Sequence, residues 1–168
     1  MPEYLFISDL HLSPERPDTT GLFLRFLRER AVQGAYLYIL GDFFDAWVGD
    51  DDKRPPVPEI VAAMKQLSAA GTRLYFISGN RDFLIGDAFA EATGCQLLPE
   101  TYLLQLAGSR ALLMHGDLLC SDDRDYQEWR KRLRHPAFIG EFLNKPIAER
   151  IAIAAEYRQR SGEAVSLK

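Results

Sequence analysis

Short apolar runs alternate with amphipathic stretches along the first half of the chain. Residues 4–7, 36–40 and 74–77 are continuous apolar runs rich in strand formers, a pattern typical of strands covered on both faces. Between them, residues 22–31 and 60–67 carry apolar side chains at helical spacing. This order predicts right-handed crossovers between neighbouring strands and an α/β fold built on a mainly parallel sheet.

The pattern changes in the next segment. Residues 83–93 predict a third helix, which ends before a glycine. Residues 102–106 and 111–114 predict two strands, and the glycine and serine between them predict a hairpin turn. The sequence therefore predicts an antiparallel pair of strands in addition to the parallel sheet.

The last part of the chain differs in both pattern and charge. Residues 1–123 carry 10 Lys/Arg and 18 Asp/Glu, whereas residues 124–168 carry 10 Lys/Arg and 6 Asp/Glu. The basic part shows no strand pattern, and prolines divide it into predicted helices over residues 125–134, 137–144 and 146–160. We therefore predict two domains, a core over residues 1–123 and a helical lid over residues 124–168 that covers the strand ends.

Composition narrows the class of protein. The chain has 168 residues, 47% of them hydrophobic, and a net charge of −4, as expected of a globular chain long enough to bury a core. No apolar run reaches the roughly 18 residues of a membrane span, and the N-terminus has no signal-peptide pattern. Because two cysteines are too few for a disulfide framework, we expect a cytoplasmic protein in which Cys95 and Cys120 are buried. The net charge, without a basic-aromatic stripe outside the lid, argues against nucleic-acid binding.

Polar side chains follow four of the predicted strands. Asp9 and His11 follow the first strand, Asp42 the second, Asn80 the third and His115 the last. Parallel strands end at one edge of a sheet, where open α/β proteins bind ligands, so we expect these side chains to converge. Carboxylate and imidazole ligands without cysteine suit Mn²⁺, Fe²⁺ or Zn²⁺. Two such ions roughly 3.5–4 Å apart can activate a water molecule and stabilise phosphoryl charge.

Four ordered motifs carry a resemblance to a known family. They are Asp9-Leu10-His11, Gly41-Asp42-Phe43-Phe44-Asp45, Gly79-Asn80-Arg81-Asp82 and His115-Gly116-Asp117. Together they resemble the motifs of the calcineurin-like metallophosphoesterases. The resemblance implies layered sheets flanked by helices and two divalent ions, usually Mn²⁺. It also implies catalytic roles for Asp42, Asn80 and His115 within a metal-binding set formed by Asp9, His11, Asp42, Asn80 and His115.

Arg81 stands where most members of that family have histidine. A guanidinium group stays protonated, so it cannot act as a general acid, but it can bind an anionic oxygen. This departure and the residues around the motifs resemble one subfamily of pyrophosphohydrolases. That subfamily converts UDP-2,3-diacylglucosamine to UMP and 2,3-diacylglucosamine 1-phosphate in lipid A synthesis. The resemblance implies substrate contacts at Asn80, Arg81, Asp123, Ser161 and Lys168.

The basic part suits such a substrate on physical grounds as well. An acylated UDP-sugar has an anionic head and apolar tails, and residues 124–168 offer cations and apolar side chains in the same helices. The same combination suits contact with an anionic membrane, so we expect a peripheral protein on the cytoplasmic face of the inner membrane. Near the motifs, Phe43, Phe44 and Trp47 can equally belong to the core or line an acyl cavity.

One motif of the family does not occur in the chain. No His-x-His follows His115, although the histidines of a Gly-His-x-His motif complete the metal shell in that family. We therefore expect the natural protein to continue past Lys168. Two alternatives stay open: another metallophosphoesterase that acts on nucleotide diesters, or a non-catalytic lipid- or nucleotide-binding relative if the chain ends at Lys168.

Overall fold

The chain divides into two units that differ in secondary structure. The structure, a computed structural model, describes residues 2–166, with side chains described for residues 2–159. The first unit is Met1–Asp122 and the second is Asp123–Lys168. Both strands and helices occur in the first unit, whereas the described part of the second unit is helical.

The first unit is built on a four-stranded parallel sheet. Its strands are β1 (Tyr4–Ile7), β2 (Tyr36–Leu40), β3 (Arg73–Ile77) and β4 (Cys95–Leu97), side by side in that order. The three strands predicted from apolar runs are confirmed. The sequence does not predict β4, because three residues are too few to establish a pattern of their own.

Helices pack on one face of this sheet. α1 (Pro17–Glu29) follows β1, α2 (Val57–Ala69) follows β2, and α3 (Asp87–Thr93) precedes β4. Short 3₁₀ turns lie at Ala31–Gln33 and Asp117–Leu119. Apolar side chains of the helices and of this sheet face form one buried cluster, which includes Phe23, Leu27, Ile60, Met64, Leu67, Phe76 and Phe89.

α3 begins later than the sequence predicts. The Asp50 carboxylate accepts hydrogen bonds from the backbone N–H groups of Gly86 and Phe89, at 3.1 and 3.0 Å, and so fixes the start of the helix. The prediction of a helix over residues 83–93 is therefore wrong for its first turn. The capping carboxylate lies far upstream in the chain, so no local pattern could indicate it.

A hairpin forms the second sheet. Its strands are β5 (Thr101–Leu106) and β6 (Ser109–Met114), which pair antiparallel as predicted. Gly108 in the turn has a φ of 85°, a conformation that glycine adopts without steric cost.

Side chains of the parallel sheet alternate between two layers of core. Leu37 and Ile39 belong to the cluster on the helical side. Tyr38 and Ile77 point to the opposite face, where they form a second buried cluster with Leu104 and Leu113 of the hairpin. The hairpin sheet therefore packs on the parallel sheet, which confirms the prediction of layered sheets flanked by helices.

The aromatic residues beside the motifs are core residues. Phe43, Phe44 and Trp47 are buried in the cluster on the helical side, which decides between the two roles that the sequence left open. Cys95 is buried in the same cluster, as expected. The expectation for Cys120 is wrong, because this residue follows the second 3₁₀ turn and is exposed.

The second unit consists of helices, as the sequence predicts. They are α4 (Arg124–Leu133), α5 (Pro136–Leu143) and α6 (Ile147–Ser166). Trp129 of α4 and Tyr157 of α6 pack edge to face, with ring centroids 5.0 Å apart. Among the helices that the structure describes, none is both long enough and apolar enough to cross a membrane.

Candidate metal centre

The loops after β1 and β2 are joined by backbone hydrogen bonds. The Asp9 N–H donates to the Gly41 carbonyl at 3.0 Å, and the His11 N–H donates to the Asp42 carbonyl at 3.0 Å. These bonds continue the parallel pairing of the two strands beyond their ends. The two loops therefore hold each other in place.

Three residues in these loops have a backbone conformation that residues other than glycine rarely adopt. Asp9, His11 and Asp42 have φ angles of 56°, 49° and 50°, and they are the non-glycine residues with positive φ in the described part of the chain. The left-handed conformation costs roughly 1–2 kcal/mol for a residue other than glycine, and such strain is concentrated at functional sites. All three residues are among the predicted metal ligands.

Asp42 is buried at the centre of a cluster of possible ligands. Ligand atoms of Asp9, Asp42 and His115 all lie within 4.8 Å of one another. The His115 Nε2 is 3.6 Å from Asp42 Oδ1, and the His11 Nε2 is 3.8 Å from Asp42 Oδ2. The two oxygens of one carboxylate therefore face two different imidazoles, as expected of a carboxylate placed between two cations.

The second nitrogen of each imidazole faces an oxygen atom. The His115 Nδ1 lies 2.9 Å from the Leu40 carbonyl oxygen, and the His11 Nδ1 lies 3.6 Å from Asp45 Oδ1. When Nδ1–H donates to such an acceptor, the Nε2 lone pair is available to a cation. The hydrogen bond of His115 therefore leaves its Nε2 aimed at Asp42, and the Nδ1 of His11 lies at ion-pair distance from Asp45.

The loop after β3 lies against Asp42. The Arg81 N–H donates to Asp42 Oδ1 at 3.0 Å, and the Arg81 carbonyl accepts a hydrogen bond from the Trp47 N–H at 3.1 Å. Asn80 is exposed and lies between Arg81 and Gly79, which packs directly on Asp42. The structure thus places the neighbours of Asn80 on both sides against Asp42.

A buried carboxylate joins this loop to the loop after β2. Asp82 is 0% exposed and accepts hydrogen bonds from the backbone N–H groups of Gly79 at 2.8 Å, Phe43 at 2.7 Å and Phe44 at 3.4 Å. Burial raises the pKa of Asp82 to about 6, the nearby charge of Asp42 adds to this shift, and the backbone N–H groups oppose it.

Asp82→Asn is expected to loosen the contact between these two loops. The amide offers one acceptor oxygen where the carboxylate offers two, so a buried N–H loses its acceptor at a cost of about 1–3 kcal/mol. For a chain of this length, Tm should fall by roughly 3–10 °C. Scanning calorimetry checks this, with the exposed Asp87→Asn as control. An unchanged Tm in Asp82→Asn would contradict the role of Asp82.

Two glycines allow the loops to approach each other closely. A Cβ on Gly41 would lie 2.6 Å from the Gly79 Cα and 2.7 Å from the His115 Nδ1. Gly41 also has a φ of 86°, which favours glycine. A Cβ on Gly79 would overlap the amide nitrogen and Oδ1 of Asp42. Backbone contact at this point therefore places Asp42 and His115 side by side.

The donor set fits divalent cations. It combines carboxylate oxygens with imidazole nitrogens and contains no sulfur, a combination that suits Mn²⁺, Fe²⁺ or Zn²⁺. The carboxylates of Asp9, Asp42 and Asp45 lie in the same small region, where a bound cation would offset their mutual repulsion.

Three predicted substrate contacts belong to the second unit. The Asp123 Oδ1 accepts a hydrogen bond from the Tyr126 N–H at 3.2 Å, so this carboxylate caps the N-terminus of α4. Ser161 lies in α6 but beyond the residues whose side chains are described, and Lys168 lies outside the described residues altogether.

The sequence alone indicates no role for Asp45 or Asp82, although both lie within the four motifs. The available signal is their position, because each is a carboxylate that directly precedes apolar residues in a segment that follows a buried strand. A carboxylate in such a place needs hydrogen-bond donors or a cation as partners. Which partners it finds depends on loops that are distant in sequence.

Curated relatives are about 50% identical to this chain over the aligned residues. A UDP-2,3-diacylglucosamine hydrolase from Stenotrophomonas maltophilia (strain K279a) is 52% identical over 157 residues, which are 94% of this chain and 63% of the relative. Another from Serratia proteamaculans (strain 568) is 51% identical over 164 residues, which are 98% of this chain and 68% of the relative. The chain thus spans about two thirds of the length of these relatives.

The chain is also similar to a solved structure and to a sequence model of a protein family. Among solved structures, a nuclease MPE from Pseudomonas putida aligns with 61% of this chain and 50% of its own chain, at 24% identity and a TM-score of 0.47. A sequence model of the calcineurin-like phosphoesterases matches residues 3–155. The chain therefore belongs to the calcineurin-like phosphoesterase family, as its four motifs predict.

Proposed function

We propose that this protein hydrolyses the pyrophosphate bond of UDP-2,3-diacylglucosamine and releases UMP and 2,3-diacylglucosamine 1-phosphate, a reaction of lipid A synthesis. Relatives named for this substrate are about half identical to nearly the whole chain. The observation that supports the reaction class is the position of Asp42, whose two oxygens face His115 and His11. A carboxylate between two cations is typical of two-metal hydrolysis of phosphoryl compounds.

We propose that the candidate metal centre holds two divalent ions and that these are Mn²⁺. Asp42 would lie between the two ions. The residues that would hold them are Asp9, His11, Asp42, Asn80 and His115. Such ions, when bound, activate a water molecule and stabilise the charge that develops on the phosphoryl group. The protein positions the ligands in advance, because backbone bonds between the loops already fix Asp9, His11 and Asp42.

Arg81 is proposed to bind the substrate pyrophosphate. Its backbone is held on both sides, by Asp42 and by Trp47, so the residue is tied to the metal centre without using its side chain. The guanidinium stays protonated and presents several N–H donors in one plane, which suits phosphate oxygens. Asp123, Ser161 and Lys168 are proposed as further substrate contacts.

Arg81→Ala is expected to reduce kcat/KM by about 10–100-fold, since a hydrogen bond to a charged group contributes about 1.5–3 kcal/mol. Metal content should stay the same, because the backbone hydrogen bonds of residue 81 survive the substitution. Kinetics with the diacylated substrate and metal analysis of the purified variant check both statements. Arg110→Ala, which removes an exposed arginine from the hairpin, is the matched control. Loss of metal in Arg81→Ala would contradict a substrate-binding role.

The second unit is proposed to act as a lid that binds acyl chains and contacts the membrane surface. Its helix α5 carries Phe138 stacked on Phe142, with centroids 6.2 Å apart, next to the exposed Leu143. Basic side chains occur in the same unit, and Arg132 lies over the Trp129 ring at 5.9 Å. Apolar and cationic groups together suit an acylated, anionic substrate and an anionic lipid surface.

The proposal is tested by following UMP release from UDP-2,3-diacylglucosamine with added Mn²⁺, and by measuring hydrolysis of a cyclic nucleotide in parallel. We expect UMP release that depends on Mn²⁺ and little hydrolysis of the cyclic nucleotide. A preference for the cyclic nucleotide would favour a phosphodiesterase instead. Binding of the diacylated substrate without turnover would favour a non-catalytic relative. Removal of metal by a chelator should abolish UMP release, and readdition of Mn²⁺ should restore it.

A further inference from the structure

The two imidazoles that face Asp42 are supported differently. Each aims its Nε2 at one oxygen of Asp42, at 3.6 Å for His115 and 3.8 Å for His11. The Nδ1 of His115 is within hydrogen-bond distance of the neutral Leu40 carbonyl, at 2.9 Å, whereas the Nδ1 of His11 lies at ion-pair distance, 3.6 Å, from the carboxylate of Asp45. The centre therefore has one histidine backed by a neutral acceptor and one backed by a charged acceptor.

Burial and backbone hydrogen bonds fix Asp45 beside the His11 ring. Its side chain is 10% exposed, and its backbone N–H donates to the Leu12 carbonyl at 3.1 Å. Leu12 follows His11 directly and forms a parallel bridge with Phe44, the residue before Asp45. Backbone bonds thus fix both chain segments, and the distance between the carboxylate and the His11 ring follows from them.

We infer that Asp45 is a positioning residue, which orients His11 and makes the metal position beside His11 bind its ion more tightly than the position beside His115. A carboxylate at ion-pair distance from Nδ1–H favours that tautomer and makes the imidazole a stronger ligand through Nε2, and loss of the oxygen partner of a metal-binding histidine typically costs about 10–100-fold in metal affinity. The inference rests on the metal centre of the proposed function and adds that its two metal positions differ in affinity.

The tautomer of His11 is the most direct readout. The chain has three histidines, so the metal-free protein should give three imidazoles in a long-range ¹H–¹⁵N correlation spectrum. In the metal-free protein at about pH 9, we expect His11 and His115 to carry the proton on Nδ1, the nitrogen that faces an oxygen atom. His135 is the internal contrast, because its Nδ1 accepts a hydrogen bond from the Ala137 N–H at 3.3 Å.

Metal affinity is the second readout, measured by Mn²⁺ titration with detection of free Mn²⁺ by electron paramagnetic resonance. Wild type should bind two equivalents with unequal affinity. Asp45→Asn keeps a neutral acceptor and should weaken the tighter equivalent about 10-fold, whereas Asp45→Ala removes the acceptor and should weaken it by up to about 100-fold. Asp52→Asn, which changes another buried carboxylate that pairs with Arg54, is the control and should leave both affinities unchanged.

The two measurements distinguish failure of the positioning role of Asp45 from failure of the proposed function. A spectrum of the wild type in which His11 carries its proton on Nε2 would overturn the inference, even if both Asp45 variants failed to fold. Wild-type affinities in Asp45→Asn would also overturn it. Weaker binding in Asp45→Ala without a change of the His11 tautomer would mean that Asp45 binds the ion directly. No Mn²⁺ binding by the wild type would overturn the proposed function as well, whereas failure of Asp45 alone leaves that function intact.

Discussion

Asp42→Asn should lower turnover of the diacylated substrate more than a hundredfold. Loss of a residue that only hydrogen-bonds a metal ligand already costs about 10–100-fold in metal affinity or activity, and Asp42 is itself proposed as a ligand. Asparagine is the informative substitution, because it tolerates the left-handed backbone found at residue 42, where φ is 50°. It also has nearly the size of aspartate. The amide presents one oxygen, so it cannot face His11 and His115 with two acceptors as the carboxylate does.

The measurement for Asp42 combines UMP release with the amount of Mn²⁺ that remains after dialysis. Both should fall together, whereas circular dichroism should report an intact fold. The exposed Asp51→Asn is the control, since it removes a carboxylate from the same part of the chain. Turnover within a few-fold of wild type in Asp42→Asn would rule out a bridging role for this residue.

Gly79→Ala should destabilise the contact between the loops after β2 and β3. The added methyl group would overlap the backbone nitrogen and Oδ1 of Asp42 and would lie 3.0 Å from the Gly41 carbonyl carbon. Backbone atoms cannot rotate away as a side chain can, so the loops after β2 and β3 must separate. Overpacking of this kind costs about 1–3 kcal/mol or more, and we expect Tm to fall by roughly 3–10 °C.

Gly21→Ala is the matched control for Gly79→Ala, and its effect should have the opposite sign. Gly21 lies within α1, and a Cβ there would meet nothing within 4 Å. Alanine in a helix interior is favoured over glycine by about 1 kcal/mol, so Tm should rise slightly. Thermal unfolding and Mn²⁺ titration of both variants check the pair. A Gly79→Ala variant with unchanged Tm and metal affinity would show that the loops can separate freely.

Local patterns predict the elements of this fold more completely than their ends. The strands β1, β2 and β3 and the helices α4 and α5 follow the sequence closely, whereas α6 runs to Ser166, past its predicted end at residue 160. β4 and the start of α3 escape prediction for different reasons. β4 is too short to have a pattern, and α3 begins where the Asp50 carboxylate from a distant loop accepts its N–H groups.

In the candidate site, the sequence indicates which residues take part but not their backbone conformations or their partners. Residue types and strand ends indicate Asp9, His11, Asp42 and His115, and the structure brings these side chains together. The left-handed backbone of Asp9, His11 and Asp42 cannot be predicted from residue type, because aspartate and histidine adopt it at few positions and here bonds between the loops hold it. The partners of Asp45 and Asp82 depend in the same way on loops that meet only in the folded chain.

The hydrogen bonds between the loops after β1 and β2 have a consequence for the thermodynamics of metal binding. Because Asp9, His11 and Asp42 are held in their strained conformations by the backbone itself, a cation that enters the candidate centre would have little chain to order. The centre is preorganised, and the entropic cost of assembling it is met during folding rather than during binding. In this respect it differs from a zinc finger, where the metal supplies the free energy that folds the domain.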